Sequence, residues 1–73
     1  MAAKQKHRKI VGLTIRQYRY RARLSIERLA ERADLHPNYV GEIERGEKAA
    51  SLDTLVKLAK GLRIRPARLL SNL

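Results

Sequence analysis

The chain contains no cysteine, so disulfides and thiolate metal centres are excluded, and the absence fits a reducing compartment. His7 and His36 are the only histidines, each without a second ligand at metal-binding spacing, so no metal site is expected. No apolar run approaches the roughly 20 residues that a membrane-spanning helix needs. The polar amino terminus, MAAKQKHRK, lacks the apolar core of a signal peptide. A soluble, cytoplasmic protein is therefore expected. There is no glycine-rich phosphate loop and no histidine beside a carboxylate in a plausible cleft, so neither catalysis nor a cofactor is expected. Acidic residues are missing too, at first: none precedes Glu27.

What is present is positive charge. Seventy-three residues carry eleven arginines and six lysines against seven acids, a net charge of +10. Such a balance points to a polyanionic partner, most often nucleic acid and sometimes a membrane surface. The plainer reading, that arginines merely decorate helix surfaces, does not explain the skewed distribution. Residues 1–24 hold eight bases and no acid, residues 25–50 are net −2, and residues 51–73 are net +4. A chain this short makes one domain and buries only about 60% of its unfolded surface, so its helices must pack well or the chain must oligomerise.

The hydrophobic pattern reads as five helices with short loops and no strand. Residues 1–9 have no apolar periodicity and are expected to form a flexible basic arm, with the folded domain spanning residues 10–73. From Ile10, Val11, Ile15, Tyr18 and Ala22 make a narrow apolar stripe at helical spacing. Ser25 is a good N-cap for IERLAERA, with Leu29, Ala30 and Ala33 inward and Glu27 at the positive end of the helix dipole. Asp34 sits at a corner that requires positive φ. Pro37 opens a third helix at the position where its missing N–H loses nothing, and Gly46 closes it. Ser51 caps a fourth helix whose inner face is Leu52, Leu55, Val56, Ala59 and Leu62. Pro66 begins a fifth, with Leu69 and Leu70 inward.

On a helical wheel the third helix divides sharply. Tyr39, Val40 and Ile43 fall on one side, and Asn38, Gly41, Glu42 and Arg45 on the other. A short helix with a packed inner side and hydrogen-bonding groups outside has the shape that fits a DNA major groove.

At this point the chain resembles the Cro/phage-repressor-like helix-turn-helix family, often called Xre. The resemblance covers Ile10 to about Leu70. It rests on Ile15-Arg16-Gln17-Tyr18-Arg19, on Ser25 with Leu29-Ala30, Ala33 and Leu35, on Tyr39-Val40-Gly41-Glu42-Ile43-Glu44-Arg45-Gly46, and on Ser51-Leu52 and Leu58-Ala59. It implies an all-α, compact five-helix bundle of the lambda-repressor-like DNA-binding type, with the second and third helices forming the helix-turn-helix. It also implies residue roles. Asn38 and Glu42 would read base edges, an Asn suiting adenine and a carboxylate suiting the cytosine amino group, while Pro37 and Gly41 would contribute shape or a thymine-methyl contact. Ser25, Arg45, Lys48, Arg8, Lys9 and Arg16 would meet phosphates. Arg19 and Glu44 would form a partly buried structural ion pair.

Four positions depart from the family pattern: Ile26 replaces a phosphate-contacting glutamine, Asp34 the turn glycine, Ala50 a proline before Ser51, and Arg63 a glycine after Leu62. The first removes one expected backbone contact. The implied function is a sequence-specific transcriptional regulator, most simply a repressor, binding double-stranded DNA at a palindromic operator. The implied assembly is a homodimer, weak in free solution because Arg65 and Arg68 crowd like charges near the usual dimer region, and strengthened on DNA. The rival readings are an antitoxin that also binds a toxin, and a nonspecific RNA- or membrane-binding basic peptide. The second of these would need the Ile15 and Tyr18 stripe that the core requires.

Overall fold

The computed structural model describes residues 2–73, with side chains from residue 6 onward. Four α-helices follow one another: α1 (Ala2–Arg21), α2 (Ile26–Ala33), α3 (Pro37–Glu44) and α4 (Leu52–Leu62). A 3₁₀ helix, Pro66–Leu70, closes the chain, and the described residues contain no strand. The expected fifth α-helix is thus a single short 3₁₀ segment. Only five residues run from Pro66, which fixes the start, to Leu70 before the turn at Ser71, too few to offset the cost of α-helix nucleation.

The helix α1 also differs from expectation. It runs back to Ala2, through the stretch read as an arm. Ala, Lys, Gln and Arg are strong helix formers, and nothing between Ala2 and Val11 breaks a helix, so propensity carries the backbone where no apolar stripe exists. Tertiary contact helps as well. Arg8 is half-buried, and Gly46 lies so close to Lys9 that a Cβ there would stand 3.0 Å from the Lys9 Cα.

The core is built from all five elements. Ile15, Leu29, Val40, Ile43, Leu58 and Leu69 are completely enclosed, with Ala30, Ala33 and Ala59 filling the spaces where helices approach. The helix α4 lies against α2, α1 lies against α3, and the 3₁₀ segment is wedged between α4 and α1. Small residues permit these approaches. A Cβ on Gly12 would stand 2.6 Å from the Glu44 carbonyl oxygen, so α1 and α3 touch backbone to backbone there. Thr14 is buried beside this contact; its hydroxyl donates to the Ile10 carbonyl and accepts from Asn72 Nδ2, each at 2.9 Å, which ties the end of the chain to α1.

Three inward assignments fail. Leu52 is 74% exposed because it is the first residue of α4, beyond the reach of any covering element, and Leu70 is 42% exposed at the end of the 3₁₀ segment. Ala22 lies past the end of α1 and is exposed.

The helix ends explain how short loops suffice. Arg23, Asp34, Arg63 and Gly46 all have φ between 56° and 75°. Each follows a helix and lets two successive N–H groups turn back onto the last carbonyls. At the α2 end, Asp34 N–H donates to Glu31 and Leu35 N–H to Ala30, at 3.3 and 2.9 Å. Three of these four positions carry residues that pay a steric penalty glycine avoids. Asp34→Gly is therefore expected to stabilise the fold by about 0.5–1 kcal/mol, raising the melting temperature by roughly 4–8 °C per kcal/mol in a domain of this size. A thermal melt showing a lower midpoint would contradict this account of the corner.

Candidate nucleic-acid interface

The corner between α2 and α3 brings the start of both helices to one surface. Ser25 has extended backbone angles and its hydroxyl accepts from Arg28 N–H at 3.0 Å, so the first turn of α2 is capped as its sequence suggests. The cap of α3 was not legible in the sequence. His36 has the same extended conformation, and its Nδ1 accepts from Asn38 N–H at 3.1 Å, ahead of Pro37 at the first helical position. The two residues before Asn38 thus set the backbone from which its side chain projects.

Between these helix starts lies an open cleft of about 500 Å³. Ser25, Ile26 and Glu27 form one wall, and Pro37, Asn38, Gly41, Glu42 and Arg45 form the other, with Arg19 also lining the cleft. Every residue expected to read bases is on this surface, together with Ser25 and Arg45 from the expected backbone set. Asn38 is exposed, while Val40 and Ile43 on the opposite face of α3 are buried and Tyr39 is half-buried. The Tyr39 hydroxyl lies 3.4 Å from Thr54 Oγ1, which anchors α3 to α4. Gly41 is covered by the Arg45 side chain, whose Nη1 would stand 3.0 Å from a Cβ at position 41.

Behind the cleft sits a buried ion pair. Glu44 is wholly enclosed, and Arg19 grips it with two bonds, Nε to Oε2 at 2.7 Å and Nη2 to Oε1 at 2.9 Å. The remaining Arg19 Nη1 donates to the Leu24 carbonyl at 3.0 Å, so one guanidinium joins α1, α3 and the loop before α2. Hydrogen bonding to Glu44 raises the Arg19 pKa further above its ordinary value, against the opposing effect of burial. Arg16 completes a triad: its Nε lies 3.3 Å from Glu44 Oε1, and its side chain is one-third exposed. Arg16, expected at a phosphate, is thus engaged with Glu44 through one of its N–H groups.

The cations after α3 also have internal partners. Arg45 binds Glu47 through Nε to Oε2 at 2.7 Å and Nη2 to Oε1 at 3.3 Å. This hydrogen bonding raises the Arg45 pKa and lowers that of Glu47. A depressed carboxyl pKa means that the pair persists throughout the neutral range and is lost only as pH falls through the lowered value. Lys48 Nζ lies 3.5 Å from Glu42 Oε1, which links a residue expected at phosphate to one expected at a base. Arg8 and Lys48 line a separate groove with Val11, Ile43 and Ala50, so the first part of α1 and the loop after α3 share one side of the molecule. Among the described residues there is no group of His, Asp and Glu able to hold a metal, and no helix is long and apolar enough to cross a membrane.

Comparison with known proteins agrees with this geometry. A helix-turn-helix family model matches residues 15–69. The control protein C.BamHI of Bacillus amyloliquefaciens is 41% identical over 64 residues, which span 86% of this chain and 79% of that protein. The control protein C.SmaI of Serratia marcescens is 41% identical over 65 residues, 89% of this chain and 77% of that one. Among solved structures, the restriction-modification controller protein C.AhdI from Aeromonas hydrophila superposes with a TM-score of 0.84 at 39% identity, covering 85% of this chain and 94% of its own.

Proposed function

We propose a function from one established premise: the chain belongs to the helix-turn-helix family. It is a sequence-specific DNA-binding transcriptional regulator of the restriction-modification controller kind, acting as a repressor or switch at its operator in the cytoplasm. The observation that carries this reading is the cleft between the starts of α2 and α3, where an exposed Asn38 and a half-buried Glu42 line the open side of a helix whose other face is locked into the core. Its relatives, two control proteins and a restriction-modification controller, favour a regulator over an antitoxin.

The division of labour follows from chemistry. Helix α3 enters the major groove, where Asn38 pairs with adenine and Glu42 accepts from a cytosine amino group, with Pro37 and Gly41 beside them for shape. The capped start of α2 at Ser25 meets the backbone through its N–H groups. Arg45 and Lys48 grip phosphates on one side of α3, with Arg8 and Lys9 of α1 adjacent. Arg16 adds the free part of its guanidinium. The net −2 of residues 25–50 places little attraction in the reading corner itself, so affinity comes from the basic flanks while discrimination comes from α3.

The operator is a palindrome read by a homodimer, weak in solution and strengthened on DNA. Exposed Leu52, Leu70 and Leu73 are apolar groups available for self-association. Leu70 also lines, with Ala49, Ala50 and Leu55, a groove of about 150 Å³. Fluorescence anisotropy with a labelled duplex at several salt concentrations tests the reading. A binding constant that falls steeply with salt is expected, and salt-independent binding or none would remove it.

Glu47 occupies the Nε and Nη2 donors of Arg45 and sets a negative charge beside any phosphate that the guanidinium meets. Glu47→Gln is therefore expected to strengthen nonspecific duplex binding several-fold and to steepen the plot of log K against log salt by about 0.9, one further phosphate neutralised. Unchanged affinity and slope would mean that Arg45 does not reach the backbone.

A further inference from the structure

A second charged surface lies outside the reading cleft. Arg21 at the end of α1, Arg63 after α4, and Arg65 and Arg68 at the 3₁₀ segment surround an open cleft of about 450 Å³, with Tyr18 and Ile64 half-buried in its wall. No carboxylate lines it, and among the described residues none of the four guanidiniums makes an ion pair or a side-chain hydrogen bond. It shares no residue with the cleft between α2 and α3. Arg19 turns toward Glu44, whereas Tyr18 and Arg21 turn to the other side of α1.

Helix dipoles account for only part of this charge. Two α-helices end here, and each carboxyl end offers roughly half a negative charge. Together they offset about one guanidinium of the four. The rest is uncompensated repulsion, which a folded domain of this size retains at some cost in stability. The arrangement is also partly organised: the Arg21 guanidinium lies over the Tyr18 ring at 5.3 Å from its centre, which holds the planar fork in place.

We infer that this cleft docks an acidic segment of a partner protein, with carboxylates on Arg21, Arg63, Arg65 and Arg68 and an apolar side chain against Tyr18 and Ile64. Three features select that occupant. The concave shape between three elements fits a narrow chain. Arginine forks match carboxylates bidentately. A half-buried tyrosine and isoleucine ringed by arginines is the composition of protein-binding hot spots, where aromatic and arginine residues dominate, rather than of a phosphate track. Because the reading cleft stays free, such a partner binds while the protein holds DNA.

The test uses the full chain labelled with ¹⁵N and a synthetic peptide of glutamates and aspartates around one leucine. Saturable chemical-shift changes at Tyr18, Arg21, Ile64, Arg65 and Arg68 are expected, in the free protein and in its duplex complex alike. The Arg21→Gln and Arg63→Gln double variant, which leaves Arg65, Arg68 and the reading cleft untouched, should bind the peptide at least about tenfold more weakly, with duplex binding and melting temperature largely retained. If that variant folds poorly, the Arg21→Lys and Arg63→Lys pair, which keeps the charge and removes the planar fork, serves with a smaller loss in the same direction. Three results would overturn the inference: peptide shifts spread over Lys6 to Lys9 and the loop after α3, displacement of the peptide by duplex, or equal occupancy of the cleft by inorganic phosphate. Each leaves the DNA-binding reading intact, since duplex binding is measured on the same samples.

Discussion

Glu44→Ala is expected to cost about 3–5 kcal/mol of folding stability, enough to unfold much of the population at ambient temperature. The reason lies in what remains behind. Arg19 is almost as enclosed as Glu44, its side chain 8% exposed, and without the carboxylate its charge stays in the interior with only the Leu24 carbonyl as acceptor. A domain of this length has roughly 4–11 kcal/mol in total, so one such loss takes about a quarter of it or more. Replacing both partners by apolar residues of similar size, Arg19→Met with Glu44→Leu, should recover most of the deficit, because the cost of burying the ions disappears with them. Urea unfolding of the two variants measures this. A single-variant loss below about 1 kcal/mol would show that the triad is solvated rather than buried. The Arg19 pKa is raised, so its pairing is fully present below the ordinary arginine value and is lost only as pH rises past it. No pH dependence near neutrality is expected from this residue.

Asn38→Ala should weaken operator binding by about 1–3 kcal/mol while leaving nonspecific binding nearly unchanged. Asn38 is exposed at the start of α3, its backbone N–H held by His36 and its side chain in no internal hydrogen bond. Truncation should therefore remove the proposed contact with DNA and little from the fold. Glu42→Ala should differ in kind. Glu42 also holds Lys48 at 3.5 Å, so its removal deletes a base contact, frees a cation for the backbone and lifts the penalty a carboxylate imposes on wrong sequences. Nonspecific affinity should then rise as specificity falls. Binding assays with operator and scrambled duplexes separate the two variants. An Asn38→Ala protein that loses affinity equally for both duplexes would show that Asn38 positions the chain and does not read bases.

Much of this site was visible in the sequence because the features that form it are local. Ser25 and Ser51 as caps, Asp34 at a positive-φ corner, Pro37 at a helix start and Gly46 at a helix end each follow from the chemistry of one residue and its immediate neighbours. The inner face of α3 followed from periodicity. What escaped depends on elements distant in the chain. Gly12 reads as an ordinary helical glycine until α3 is seen pressed against it, although an isolated glycine inside a helix is a signal of close approach. Arg16 falls at a family phosphate position, yet Glu44, twenty-eight residues on, draws it into the triad. The full extent of α1 is not legible in the sequence, because its first turns rest on helix propensity and carry no apolar stripe to give a periodic signal. Leu52 and Leu70 obey the periodicity of their elements but stand where nothing covers them.

The most direct measurement of sequence-specific recognition is selection of the wild-type protein against a pool of random duplexes, with sequencing of the bound fraction at two salt concentrations. Enrichment of a palindrome is expected, with half-sites about one helical turn apart and enrichment retained at the higher salt. Tight binding without enrichment, falling away steeply with salt, would mean that the +10 charge alone holds the DNA. Asn38 and Glu42 would then have no part in reading it.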